Sequence, residues 1–383
     1  MLGMCQTACK QAPQSALDSS SVIAERIELP TGDLIALNVS HLVSDTVDFP
    51  LSTLVENLEI AILDPEEEAL VGGGRVTLSD HFILISNSEE VPYKLFDRSG
   101  KYIRSIGSYG QGPDEYLNTY HEQLDEKHGR IYILPWMSEK LLVFDLEGNP
   151  QPAIPLHVRV GKGKFRVDGD KKEVTVTTLP FEGMQEFVWV QDFQGNRKQV
   201  LKPGHLTAPR DFSNEVYNQF NLAAYDVNLC LIMPTRKDTL YHYNVQANQL
   251  EPRFTVRFEE EEVPWHGYLD LPHHYLGDIS FPVQVGESTW SGSKPSVFII
   301  DKQTLQSSFI RLYNDFLGLK DVWHSFQGGY YVANYDPMTL KEALQTALQQ
   351  DDLPEAVRQR VTQLSDALHE DSNNVIVWGK LKN

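Results

Sequence analysis

An aromatic-Asp-turn unit returns about every 50 residues along this chain, and a short strand rich in β-branched and aromatic residues precedes most copies. These two observations predict an all-β protein, a six-bladed β-propeller of four-stranded blades. A third observation, one helical stretch near the end, adds a helical hairpin inserted in the last blade.

The units come in order. LFDRSGKYI places Asp97 before a Ser-Gly turn, VFDLEGNPQ places Asp145 before Glu-Gly-Asn, and WVQDFQGNRK places Asp192 before Gln-Gly-Asn. LYHYNVQANQL carries Asn244 at the Asp position, and VFIIDKQTLQS carries Asp301, so the steps are 48, 47, 52 and 57 residues. The Ser-Gly and Gly-Asn pairs supply the positive φ that hairpin turns require. Upstream lie HFILIS, RIYILPW, EVTVTTL and LCLIMP, read as the inner strands, with the fifth partner placed around STWSG. GGYYVANY is the sixth inner strand, and NVIVWGKLKN follows it. A sandwich is not expected to keep so long a period through five copies. Ring closure needs an N-terminal strand beside VIVWGKLK, and AERIELP or TLVENLEIAIL can supply it.

Residues 336–374 break the β pattern and read as two helices. Leu340, Leu344, Ala347 and Leu348 share one face of the first. Pro354 opens the second, and Val357, Val361, Leu364 and Leu368 follow at helical spacing. The hairpin either caps the disc or serves as a lid or docking element. The chain thus divides into a polar tether, 1–21, and a single propeller, 22–383.

Apolar residues make up 41% of the 383, enough for a sizeable core. With 33 basic and 53 acidic residues the formal charge is −20, which repels a phosphate backbone and excludes nucleic acid as an expected partner. The acidic runs at 66–68 and 259–262 read as solvated loops. No apolar run reaches the roughly 18 residues of a membrane span. Three cysteines, Cys5, Cys9 and Cys230, make no disulfide framework, and Cys230 in LCLIM reads as a free thiol in a buried strand.

FDRSGKYIRSIGSYGQGPDEYLN followed by RIYILPWMSEKLLVFDLEGN resembles an NHL-type propeller blade. With the C-terminal EDSNNVIVWGKLKN, it is similar to the six-bladed β-propeller family of secreted lipoproteins of Bacteroidetes-type bacteria, many of them of unknown function. The resemblance spans most of the chain from about residue 50 onward and is strongest at 96–149. It implies a propeller fold and export to the periplasm or to an outer-membrane lipid anchor, and it transfers no catalytic residue. MLGMCQTACKQAPQ looks like the tail of a lipoprotein signal, which makes Cys9 the anchor candidate; the positive and apolar regions of such a signal do not precede it.

Gly107, Gly110, Gly112 and Pro113 shape an interblade connector rather than a phosphate cradle, because a strand and not a helix follows them. Loops on a rigid scaffold carry binding residues. Tyr109, Gln111, Asp114 and Glu115 are therefore ligand candidates, although Glu115 and Tyr116 can equally pack the loop itself. Trp136 and Trp323, each placed beside an inner strand, can stack sugar rings. His266, Asp270, His273 and His274 are the densest set of metal-ligand types, yet Pro272 interrupts them and their spacing fits no metal signature. No GxSxG or triad context supports nucleophilic catalysis. The expectation is non-catalytic binding or scaffolding at the channel mouth, without a cofactor, for a glycan, peptide or envelope protein. The alternative is a hydrolase or lactonase holding Ca or Zn in the channel.

Overall fold

The computed structural model describes residue 17 and residues 20–42, 46–86, 90–232, 236–258, 263–286, 289–320, 322 and 325–383. Cys5, Cys9, Trp323 and the acidic run at 259–262 lie outside the described residues. Six antiparallel blades form the ring. Blade one is Val76–Leu78, Phe82–Ile85, Tyr93–Asp97 and Tyr102–Ile106; blade two is Thr119–Asp125, Arg130–Pro135, Ser138–Asp145 and Pro150–Val160. Blade three is Gly163–Asp168, Glu173–Thr178, Val188–Asp192 and Arg197–Leu201. Glu215–Tyr217, Tyr225–Cys230, Thr239–Asn244 and Gln249–Arg257 make blade four, and Trp265–Asp270, His274–Ser280, Ser296–Asp301 and Ser307–Tyr313 make blade five. Blade six holds Phe326–Gln327, Tyr330–Tyr335 and Val375–Lys380.

The aromatic-Asp unit is the turn between third and fourth strands. Asp97 accepts from the amides of Ser99 and Lys101 at 2.8 and 3.1 Å, and Asp145 accepts from that of Asn149 at 2.8 Å. Asp192 does the same for Gln194 and Asn196 at 2.9 Å. Three residues after each Asp the chain goes left-handed at Gly100, Gly148 and Gly195, with φ of 91°, 79° and 83°.

Six buried clusters fill the six seams between neighbouring blades. Strand periodicity sends alternate residues to opposite seams. Ile83 and Ile85 face blade six while Leu84 faces blade two, and Ile131 and Ile133 face blade one while Tyr132 and Leu134 face blade three. Phe82–Ile85 and the stretch 131–134 are therefore apolar at every position, because both faces are dry. This corrects the assignment of inner strands: HFILIS, RIYILP and their counterparts are second strands. The innermost strands are the mixed segments, such as TYHEQLD, that border the central channel. In blade five the second strand is His274–Ser280, and STWSG belongs to an outlying hairpin, Pro282–Gln284 with Trp290–Gly292.

The N-terminal segment runs along the outside of the last three blades. Ala24–Leu29 and Gly32–Asn38 extend blade four to six strands, and Val47–Pro50 adds a fifth strand to blade five, so the blades are not uniformly four-stranded. Glu59–Ile62 then pairs with Val375–Lys380 as the fourth strand of blade six. Of the two closing candidates the structure uses EIAI, within TLVENLEIAIL. Two helices, α1 (Pro337–Leu348) and α2 (Glu355–Ala367), lie in the chain between the second and third strands of blade six. Asp336 caps α1 by accepting from the Thr339 amide at 2.8 Å, and Pro337 begins it. Leu340, Leu344, Val361 and Leu364 bury themselves with Phe49 and Leu312 at the blade five–six seam.

Candidate functional site

The fourth-to-first connectors and the second-to-third loops gather on one face of the disc, and a cavity of about 730 Å³ opens there among blades six, one and two. Gly74, Asn118, Thr119, Gln327, Asn334 and Tyr335 are among its walls. Gly74 is required by contact: a Cβ would stand 1.6 Å from the Ser86 carbonyl oxygen, so the backbone itself forms the wall. Asn334 donates to the Gly72 carbonyl at 3.3 Å and accepts from Asn374 at 2.8 Å, which holds this rim rigid. The side-chain amides of Asn118 and Gln327, by contrast, make no hydrogen bond to a described residue. A second cavity of about 370 Å³ shares Ser325 and Gln327 with the first and reaches Tyr217, Cys230, His266 and Asp278.

Charge pairs stitch the first strands around the channel. Arg75 of the approach to blade one grips Glu122 of blade two through Nη2 at 2.6 Å and Nε at 3.1 and 3.2 Å. The Tyr93 hydroxyl lies 3.0 Å from the same carboxylate and 2.7 Å from Thr119 Oγ1. Burial pushes the Glu122 carboxyl up, but Arg75 offsets this and holds it below the ordinary carboxylate range. Tyr120 donates to Glu215 of blade four, which Lys162 also approaches at 3.4 Å. His121 is buried beside Phe165, and burial drives its pKa down to about 3, so it is neutral.

The GQGPDEY loop joins blade one to blade two. Ser108–Tyr109 pairs in parallel with Glu115–Tyr116, and the Glu115 carboxylate accepts from the Gly112 amide at 2.8 Å. A Cβ at Gly110 would fall 2.0 Å from that carboxylate. Tyr116 is buried; its hydroxyl donates to the Ile106 carbonyl at 2.6 Å and accepts from the Tyr93 amide. Glu115 and Tyr116 thus shape the loop, while Gln111 and Asp114 are exposed on it and Tyr109 contacts Glu90 at 3.3 Å. Trp136 is 49% exposed, and its amide donates to the Asn118 carbonyl at 2.9 Å, beside the mouth.

The structure separates the histidine-rich candidates. His266 donates through Nδ1 to the Pro264 carbonyl at 2.8 Å, and its Nε2 is buried with no partner among the described residues. Burial lowers its pKa, so the ring is neutral and Nε2 is an acceptor. Asp270, at the other end of that strand, pairs with His242 at 2.8 Å and with Lys302. His273 is exposed, and His274 packs edge-on against Phe49. Among the described residues no group of three or more His, Cys, Asp or Glu is placed to hold a metal ion. Cys230 is a half-buried free thiol, pushed up to about 12 by burial and by Asp278, and so is a poor nucleophile.

Arg75, Glu122, Lys162, Lys164 and Glu215 escaped the sequence reading. Their signal was present as charged residues inside strand-forming segments, TYHEQLD and GKGKFRVD, and as the GGGR run at 72–75.

A closed six-bladed ring of antiparallel blades is a β-propeller. The chain belongs to the family described as "Domain of unknown function (DUF4934)", whose model matches residues 34–380. It is similar in structure to a "Putative exported protein" of Bacteroides fragilis, 15% identical, with a TM-score of 0.61 over 91% of this chain and all of the other. A DUF4221 member from Bacteroides vulgatus is 9% identical, with a TM-score of 0.46 over 86% of this chain and 97% of that one. The periplasmic gluconolactonase of Pseudomonas aeruginosa is 12% identical, with a TM-score of 0.37 over 64% and 74%. No curated protein matches the chain. No helix among the described residues is long and apolar enough to cross a membrane.

Proposed function

We propose that the chain is a non-catalytic binding propeller of the bacterial cell envelope, exported and lipid-anchored near Cys9, which takes a glycan at the channel mouth. One observation carries the reading: the 730 Å³ cavity combines amides, hydroxyls and bare backbone with aliphatic side chains such as Val76, Leu117 and Val332, and an exposed tryptophan stands beside it. Amides and hydroxyls satisfy sugar hydroxyls, and an indole face stacks on a sugar ring. The Bacteroides neighbour described as exported supports the envelope part of the reading. We read α1 and α2 as a helical hairpin inserted in the last blade to seal a seam, since their apolar faces are already buried; this favours the mouth over the hairpin as the binding surface.

Glycan-array screening followed by calorimetry tests the reading. Trp136→Ala and Asn118→Ala should each weaken binding at least tenfold, with the unfolding free energy unchanged within about 0.5 kcal/mol because both side chains are exposed. A native protein that binds no glycan sinks the proposal. Near-stoichiometric Ca or Zn surviving dialysis against chelator, measured by inductively coupled plasma mass spectrometry, replaces it with the metal-dependent hydrolase.

A further inference from the structure

Beside the cavity, one side-chain cluster carries an unbalanced charge. Tyr120, next to the cavity-lining Thr119, holds two ammonium groups near its ring: Lys164 Nζ at 5.0 Å from the centroid and Lys162 Nζ at 6.0 Å. Arg75 is the third cation in this surrounding. Two carboxylates face them, and both are engaged. Glu122 is gripped by Arg75 and Tyr93, and Glu215 takes the Tyr120 hydroxyl, Lys162 and its neighbour's amide at Val216. Lys162 further donates to the Asn214 carbonyl at 2.9 Å. Lys164 makes no hydrogen bond or ion pair with a described residue, and the residue is half-buried. His121 is neutral and adds nothing. The cluster therefore sets three basic side chains against two acidic ones, within a chain whose formal charge is −20.

A cation held over an aromatic ring, with no carboxylate within ion-pair distance among the described residues, keeps its capacity to hydrogen-bond an anion. We infer that Lys164, supported by Lys162 and Tyr120, receives the carboxylate of an acidic sugar, so that the mouth selects uronate-bearing glycans over neutral ones. This rests on the glycan reading above and names its ligand class. An ordinary surface lysine is hydrated and indifferent to such a ligand. Lys164 is instead partly desolvated, as the downward shift of its pKa by burial, opposed by Glu215, reflects. An incoming carboxylate restores the counter-charge that burial has removed.

The test is calorimetric titration with a uronate trisaccharide and with its carboxyl-reduced neutral counterpart. Native protein should bind the uronate at least tenfold more tightly, and the preference should weaken as salt rises. Lys164→Met should bring the two affinities within about twofold while leaving the neutral ligand's affinity unchanged. Lys164→Gln serves as the second variant, with near-ultraviolet circular dichroism to verify packing in both. Equal native affinities, or a preference that survives in the variants, overturn the acidic-sugar inference and leave the glycan reading standing. Binding of neither trisaccharide overturns both.

Discussion

The first three blades and the last three are built on different principles. Blades one to three are made from contiguous chain, four strands each, with a glycine at the left-handed position of every third-to-fourth turn. From residues 24–62 blade four takes two strands, and blades five and six take one each. Where blades four and five have their own third-to-fourth turns, Asn248 (φ 49°) and Leu305 (φ 61°) stand in the left-handed position without a glycine. Leu305 is tolerated there because it packs against the blade four–five cluster, so tertiary burial offsets a local cost of about 1 kcal/mol or more. The difference teaches that repetition alone makes a blade, whereas closing the ring takes long-range pairing, and the closed half relies less on local turn chemistry.

Removing residues 1–62 tests this division most severely. It takes one or two edge strands from blades four and five and the closing strand from blade six, and the protein should lose cooperative folding altogether, seen as a missing calorimetric transition. A folded product would show that the ring closes without its clasp. Within the same segment, Phe49→Ala removes a fully buried ring from the blade five–six seam and should cost about 3–5 kcal/mol by urea denaturation.

Acid separates the two halves next. In blade four, burial raises Asp226 and Asp238 to about 6 despite backbone amides donating to both. A carboxyl raised on folding contributes stability that is full below its unfolded value near 4 and is lost as pH rises through about 6. The turn carboxylates Asp97, Asp145 and Asp192 have the opposite sign. Their hydrogen bonds outweigh desolvation and hold them low, so their contribution is present above the unfolded value and disappears in stronger acid. Asp226→Asn should therefore raise stability at pH 7 by about 1–3 kcal/mol and flatten the fall between about pH 4 and 6, because Asn keeps the Oδ1 acceptor used by Gln219 and Phe220. An unchanged slope in urea midpoints across that range would remove blade four as its source.

The smallest effects sit at the turns. Gly148→Ala should cost about 1 kcal/mol, since a side chain at φ 79° is strained and its Cβ would meet the Ser105 carbonyl at 3.1 Å. Leu305→Gly should move stability by less than that, because relieved strain and lost packing oppose each other. Equal and large losses at both positions would erase the contrast between the halves.

The blade count, the turn residues and the helical stretch were legible because each is written locally. An Asp followed by a left-handed glycine, apolar runs bounded by turns, and a 3.6-residue stripe need no knowledge of the rest of the chain. The innermost strands were misplaced for a physical reason: the most apolar strand of a blade is the one dry on both faces, which is the second or third, while the strand at the channel must carry polar residues. Position 59–62 as the clasp, the belt along blades four and five, and the meeting of Arg75 with Glu122 and of Lys164 with Tyr120 were decided only in three dimensions. They join residues from 40 to more than 300 positions apart, and no local pattern encodes which edge of a ring a distant strand will find. By itself the sequence determined a repeated β unit and where each one turns. The closed ring then decided which charged side chains share the channel and which one, among the described residues, has no carboxylate partner.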